Sequence, residues 1–121
     1  MGMSDPKPPT PPVLLTVDPV ASEEAVTILR QAADAAGYER TRHERALAAA
    51  LALWIGKEGQ RVEREGRELA QGWADLEVDL RRQATEIRLA VVAAQQENRR
   101  RQAAYSDAMG AWQDLVAPPG T

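Results

Sequence analysis

Residues 62–94, VEREGRELAQGWADLEVDLRRQATEIRLAVVAA, decide the fold. Starting at Val62, the apolar or small positions step by three and four through Gly66, Leu69, Trp73, Leu76, Leu80, Ala84, Ile87, Val91 and Ala94. That spacing keeps one face of a 3.6-residue helix apolar over many turns. The stripe continues through Asn98 and Gln102 to Tyr105, Met109, Trp112 and Val116. Leu69, Leu80 and Val91 are eleven residues apart, a period of about 3.67 per turn that favours straight or slightly right-handed pairing. On the other faces, Glu63–Arg67, Glu77–Arg81 and Glu97–Arg101 place acid before base at i,i+4, the favourable order. A single long helix over 62–116 is predicted, ended by Pro118-Pro119-Gly120, with 117–121 as a tail.

Upstream lies a second helical pattern. Asp18-Pro19 combines an N-cap with proline at the first helical position, and Ser22 with Glu23 and Glu24 is a competing start one turn later. Beyond it, Val26, Leu29, Ala33, Ala36, Arg40, His43, Leu47, Ala50 and Trp54 form a 3,4 repeat of coiled-coil type. The first helical arm is placed at 19–55, with a candidate break at Gly37. Between the two patterns, three glycines sit among charges, and a turn is placed at 56–61, with Trp54, Gly56 and Gly59 as its residues. An unbroken helix through this stretch is the alternative.

The first 18 residues are different again. Five prolines within 1–12 forbid helix or central strand, so an extended arm near polyproline II is predicted. Val13, Leu14, Leu15 and Val17 then form an apolar patch that needs a cover. Length supplies one candidate: at 1.5 Å per residue the arms extend about 55 Å and about 85 Å. A hairpin therefore leaves the end of the second helix unpaired, with Tyr105, Met109, Trp112 and Val116 on it. Either the 13–17 segment folds over these residues or another chain does, and another chain is expected. Both groups are accordingly named as a partner interface, and Leu69, Trp73, Leu76, Leu80, Ile87 and Val91 as the helix seam. The fold class expected is all-α: a long helical hairpin of coiled-coil-like helices with an extended Pro-rich N-terminal arm.

Composition narrows the function. The chain has no Cys, one His and no Phe in 121 residues, which removes thiolate chemistry and Cys-based metal sites and leaves one imidazole. His43 lies between Arg42 and Glu44 and reads as a helix-surface residue. Glu63 with Glu65, and Asp75 with Asp79, sit beside arginines on charged faces and not across a cleft. No catalytic, cofactor or metal site is predicted, and the chain is read as a non-enzyme. Arg99-Arg100-Arg101 with Arg81, Arg82 and Arg88 could grip phosphates, but interleaved acids and a net charge of −3 make nucleic acid an unfavoured partner. The most apolar run, at 46–56, is far short of the ~20 residues a bilayer requires. No signal peptide is read, so the expectation is a soluble protein, cytoplasmic or part of a virion.

Trp54-Ile55-Gly56, a W-x-G tripeptide between two helical stretches, resembles the turn of the WXG100 family of signal-less secreted proteins. The resemblance implies a discrete dimer of helical hairpins with Trp54 at the turn. The chain departs from that pattern where Met109, not an acid, follows Tyr105 by four residues, and in its Pro-rich arm and long second helix. The leading expectation is therefore structural. The chain is read as a homo-oligomer or a subunit of a larger assembly, such as a phage virion, that works by helix packing. A WXG100-like hairpin and a nucleic-acid-associated scaffold are the alternatives.

Overall fold

The computed structural model describes residues 6–117; the predicted tail beyond Ala117 and the Pro118-Pro119-Gly120 stop lie outside them. The fold is all-α, with two helices, α1 (Pro19–Leu51) and α2 (Gly56–Val116), and no strand among the described residues. The chain divides into two compact units. One is the hairpin Pro19–Leu89, and the other joins the arm to the part of α2 from Ala90 onward.

Within the hairpin, α1 and α2 run in opposite directions. Glu23 meets Arg88, Asp34 meets Arg81, His43 stacks on Trp73, and Leu47 lies on Gly66. The fully buried apolar residues are small ones: Val26, Ala33, Ala36 and Ala84. Small side chains let two helix axes approach closely, and the line of closest approach follows them. That line passes Gly66 and Ala84, on one flank of the predicted seam. Trp73, Leu80, Ile87 and Val91 are half-buried, whereas Leu69 (58% exposed) and Leu76 (42%) are displaced to the rim. The small residues of the predicted stripe, Gly66 and Ala84, thus lie deeper than its leucines Leu69 and Leu76.

Two glycine readings change. Gly37 does not break α1, which continues through it. A Cβ there would lie 2.8 Å from a Glu77 carboxylate oxygen, so the glycine makes room for a charge from the facing helix. The turn is also earlier than 56–61: α1 closes with a hydrogen bond from Leu53 N–H to the Ala50 carbonyl (3.0 Å), and α2 already starts at Gly56. Gly56 has φ of +76°, a conformation that costs a side-chain-bearing residue energy. Gly59 is buried under the Trp54 carbonyl, whose oxygen would lie 2.9 Å from an added Cβ. Residues 52–55 make the reversal, and the two glycines seat it.

Three glycine and alanine positions test this packing by thermal unfolding. Gly72 has open space around its Cα, so Gly72→Ala should stabilise by about 1 kcal/mol through helix propensity. Ala33 is fully buried, so Ala33→Leu should destabilise by about 1–3 kcal/mol through overpacking. Gly59→Ala should also destabilise, because its new methyl group meets backbone instead of a movable side chain. Equal melting temperatures for Ala33→Leu and the parent would mean the seam is not closely packed.

Candidate interaction surfaces

The arm and the end of α2 form the first surface. A polyproline-type segment exposes carbonyls and has few N–H donors, so whatever holds it must bring donors of its own. α2 brings three. Asn98 Nδ2 donates to the Leu15 carbonyl at 3.0 Å, Arg101 Nη1 to the Val13 carbonyl at 2.7 Å, and the Trp112 indole N–H to the Pro6 carbonyl at 3.0 Å. Asn98 Oδ1 also accepts the Leu15 N–H at 2.7 Å, so one amide pairs with both backbone groups of a single residue. The arm runs antiparallel to α2, from Leu15 at Asn98 to Pro6 at Trp112, and Tyr105, Met109 and Trp112 are half-buried.

The protein's own arm, the other candidate cover, thus reaches this end of α2 at Asn98, Arg101 and Trp112. Val17 is half-buried, Leu14 and Leu15 are a little over two-fifths exposed, Val13 is almost fully exposed, and Val116 is 44% exposed. Of the predicted interface, Trp112 meets the arm at Pro6, Tyr105 and Met109 are half-buried beside it in sequence, and Val13 and Val116 are exposed. Asn98 was read only as a continuation of the stripe, and its clamp on Leu15 was missed. An amide interrupting an apolar stripe was the available signal.

Electrostatics tie the arm down further. Glu97 accepts from Arg100 and Arg101, the latter at 2.9 Å, and Arg101 thereby bridges Glu97 to the arm carbonyl. The Arg100 hydrogen bond, followed by that of Arg101, pulls the Glu97 carboxyl from its usual 4.5 down to about 2. Arg88 similarly lowers Glu23, and Arg82 lowers Asp79. Hydrogen bonds to Asp34 and then Glu77 raise Arg81. The arginines that could have formed a phosphate-gripping row are thus largely matched by carboxylates: Arg81, Arg82, Arg88, Arg100 and Arg101 each have one.

The second surface is a polar layer inside the hairpin seam. Arg40 and Glu77 approach to 3.7 Å across the helices, with Glu77 also accepting from Arg81 at 3.3 Å. The Arg40 Nε and Glu77 Oε2 atoms are buried and lack a hydrogen bond. One turn further along α1, His43 stacks on Trp73 with ring centroids 5.9 Å apart. His43 is thus half-buried in the seam, where a surface residue was expected. A polar layer of this kind destabilises slightly but penalises slipped registers, in which the charges would face apolar neighbours.

The third surface is the face of α1 turned away from the seam. Val20, Ile28 and Tyr38 are each about two-thirds exposed or more, and an open apolar trough of about 690 Å³ lies at its N-terminal end, over Val20 and Ile28. It lies outside the single apolar stripe that the 3,4 repeat of α1 marks.

These features define an all-α hairpin with a strapped arm and apolar residues on the outside. Among the described residues no helix is long and apolar enough to cross a membrane. Comparison with protein-family models, with curated proteins and with solved structures finds no match to the chain.

Two experiments probe the arm. Asn98→Ala removes two hydrogen bonds, each worth about 0.5–1.5 kcal/mol net. It should expose the Leu15 amide to hydrogen exchange and speed proteolysis within the arm, while exchange in the hairpin stays unchanged. For pH, a carboxyl depressed in the folded state contributes stability above its ordinary value of 4.5, and that contribution is lost as pH falls through about 2. Glu97→Gln should therefore lower the melting midpoint at pH 7, and the gap to the parent should close as the pH approaches 2. A gap independent of pH would show that the Glu97 charge does not hold the arm.

Proposed function

We propose that this chain is a non-enzymatic packing protein that acts by setting helix faces against a second copy or a partner chain as a component of a larger assembly. One observation carries the reading. The hairpin fully buries only Val26, Ala33, Ala36 and Ala84 among the described apolar residues, while Val20, Ile28, Tyr38, Val78 and Leu89 are each more than three-fifths exposed. Alanine burial removes little apolar area from water, so this hairpin gains little from closing on itself. Exposed large apolar side chains on both helices are what association would cover. The matched arginines weigh against phosphate binding as the main task. A virion is one assembly that suits a small arm-bearing helical subunit, a choice made by analogy alone.

Light scattering with circular dichroism across a wide concentration range tests this. A defined oligomer whose melting temperature rises with concentration supports the proposal. So does a partly unfolded monomer that gains helix when its partner is added. A fully helical monomer whose cooperative melting is independent of concentration would overturn it.

A further inference from the structure

The outward face of α1 carries a pattern that is complementary to itself. Its eight positions, from Val20 to Ala46, are all exposed and fall within about 80° of one another on a 3.6-residue helix. Their spacing reads 4, 4, 3, 4, 3, 4, 4, the same in both directions. Two copies laid antiparallel about a two-fold axis at the level of Ala33 bring unlike positions together. Val20 then meets Ala46, Glu24 meets Arg42, Ile28 meets Tyr38, and Gln31 meets Ala35, each pair occurring twice.

Charge chooses the orientation. The face has one acid near its start, Glu24, and one base near its end, Arg42. Parallel copies would set Glu24 against Glu24 and Arg42 against Arg42. Antiparallel copies pair acid with base at both ends, as an isologous interface requires. Arg42 is free to turn outward: its side chain is 72% exposed and only loosely held by Glu39 at 3.6 Å. The apolar trough at Val20 and Ile28 is where the second copy's Tyr38, about 70% exposed in one chain, would seat.

Resting on the packing role above, we infer that the outward face of α1 is a homodimer interface, occupied by a second copy of this chain in antiparallel orientation. Charge swapping tests it. Glu24→Arg and Arg42→Glu each replace two attractions with two repulsions, so either alone should weaken the dimer about tenfold. An equimolar mixture of the two should restore parental affinity, because every contact is again opposite in sign. Ile28→Asp should weaken the dimer at least as much with the hairpin's helicity unchanged. The chain has no cysteine, so introduced thiols report the orientation cleanly. A mixture of Val20→Cys and Ala46→Cys chains should form the mixed disulfide, whereas Val20→Cys bonding to itself would mean a parallel pair and overturn the inference. A dimer indifferent to the charge swaps and to Ile28→Asp would overturn this face and leave the packing role standing. A chain that stays monomeric overturns the dimer, and if that monomer is also fully helical and melts cooperatively, independently of concentration, the packing role falls with it.

Discussion

The constraint on which the rest depends is the shortage of large apolar side chains between α1 and α2. With Val26 the largest fully buried side chain, the helices gain contact by coming close rather than by interdigitating bulk. Close approach requires positions with almost nothing on them, and Gly37 and Gly66 supply two. At Gly66 the Leu47 side chain occupies the space a Cβ would need, and at Gly37 a Glu77 carboxylate does so. The glycines are therefore packing residues inside helices, a role that outweighs their poor helix propensity at these points.

A thin seam specifies its register weakly by shape, since one alanine resembles another. Polar groups supply what shape lacks. Arg40 with Glu77, Arg81 with Asp34, and Arg88 with Glu23 cross between the helices at three levels, and a slip by one turn would misalign all three. The exposed pairs contribute little to stability individually. Their effect lies in raising the energy of wrong alignments.

The arm solves a different problem by the same means. An extended proline-rich segment cannot join a helix ladder, so its binding to α2 is a matter of side-chain donors meeting backbone carbonyls. Asn98, Arg101 and Trp112 are spaced along one side of α2, and Glu97 orients Arg101. Trp112, half-buried near the end of α2, is held to the arm in this way. Exposed apolar surface remains on the outer face of α1, at Val20, Ile28 and Tyr38.

Local chemistry and periodicity alone determined the all-α class, the long second helix and the extended arm. These depend on backbone restriction by proline and on a 3.6-residue repeat, both of which act within a few turns of chain. The tertiary structure decided which flank of each stripe is buried. Periodicity gives a face to within tens of degrees, whereas the line of closest approach follows the smallest residues; hence Ala84 is buried while Leu69 and Leu76 sit on the rim. It also decided that Gly37 continues α1, that the reversal lies at 52–55, and that the arm returns to cover Trp112. Each of these outcomes depends on groups between roughly twenty and a hundred residues apart in sequence or on a backbone conformation at a single glycine, and no local pattern encodes such a pairing.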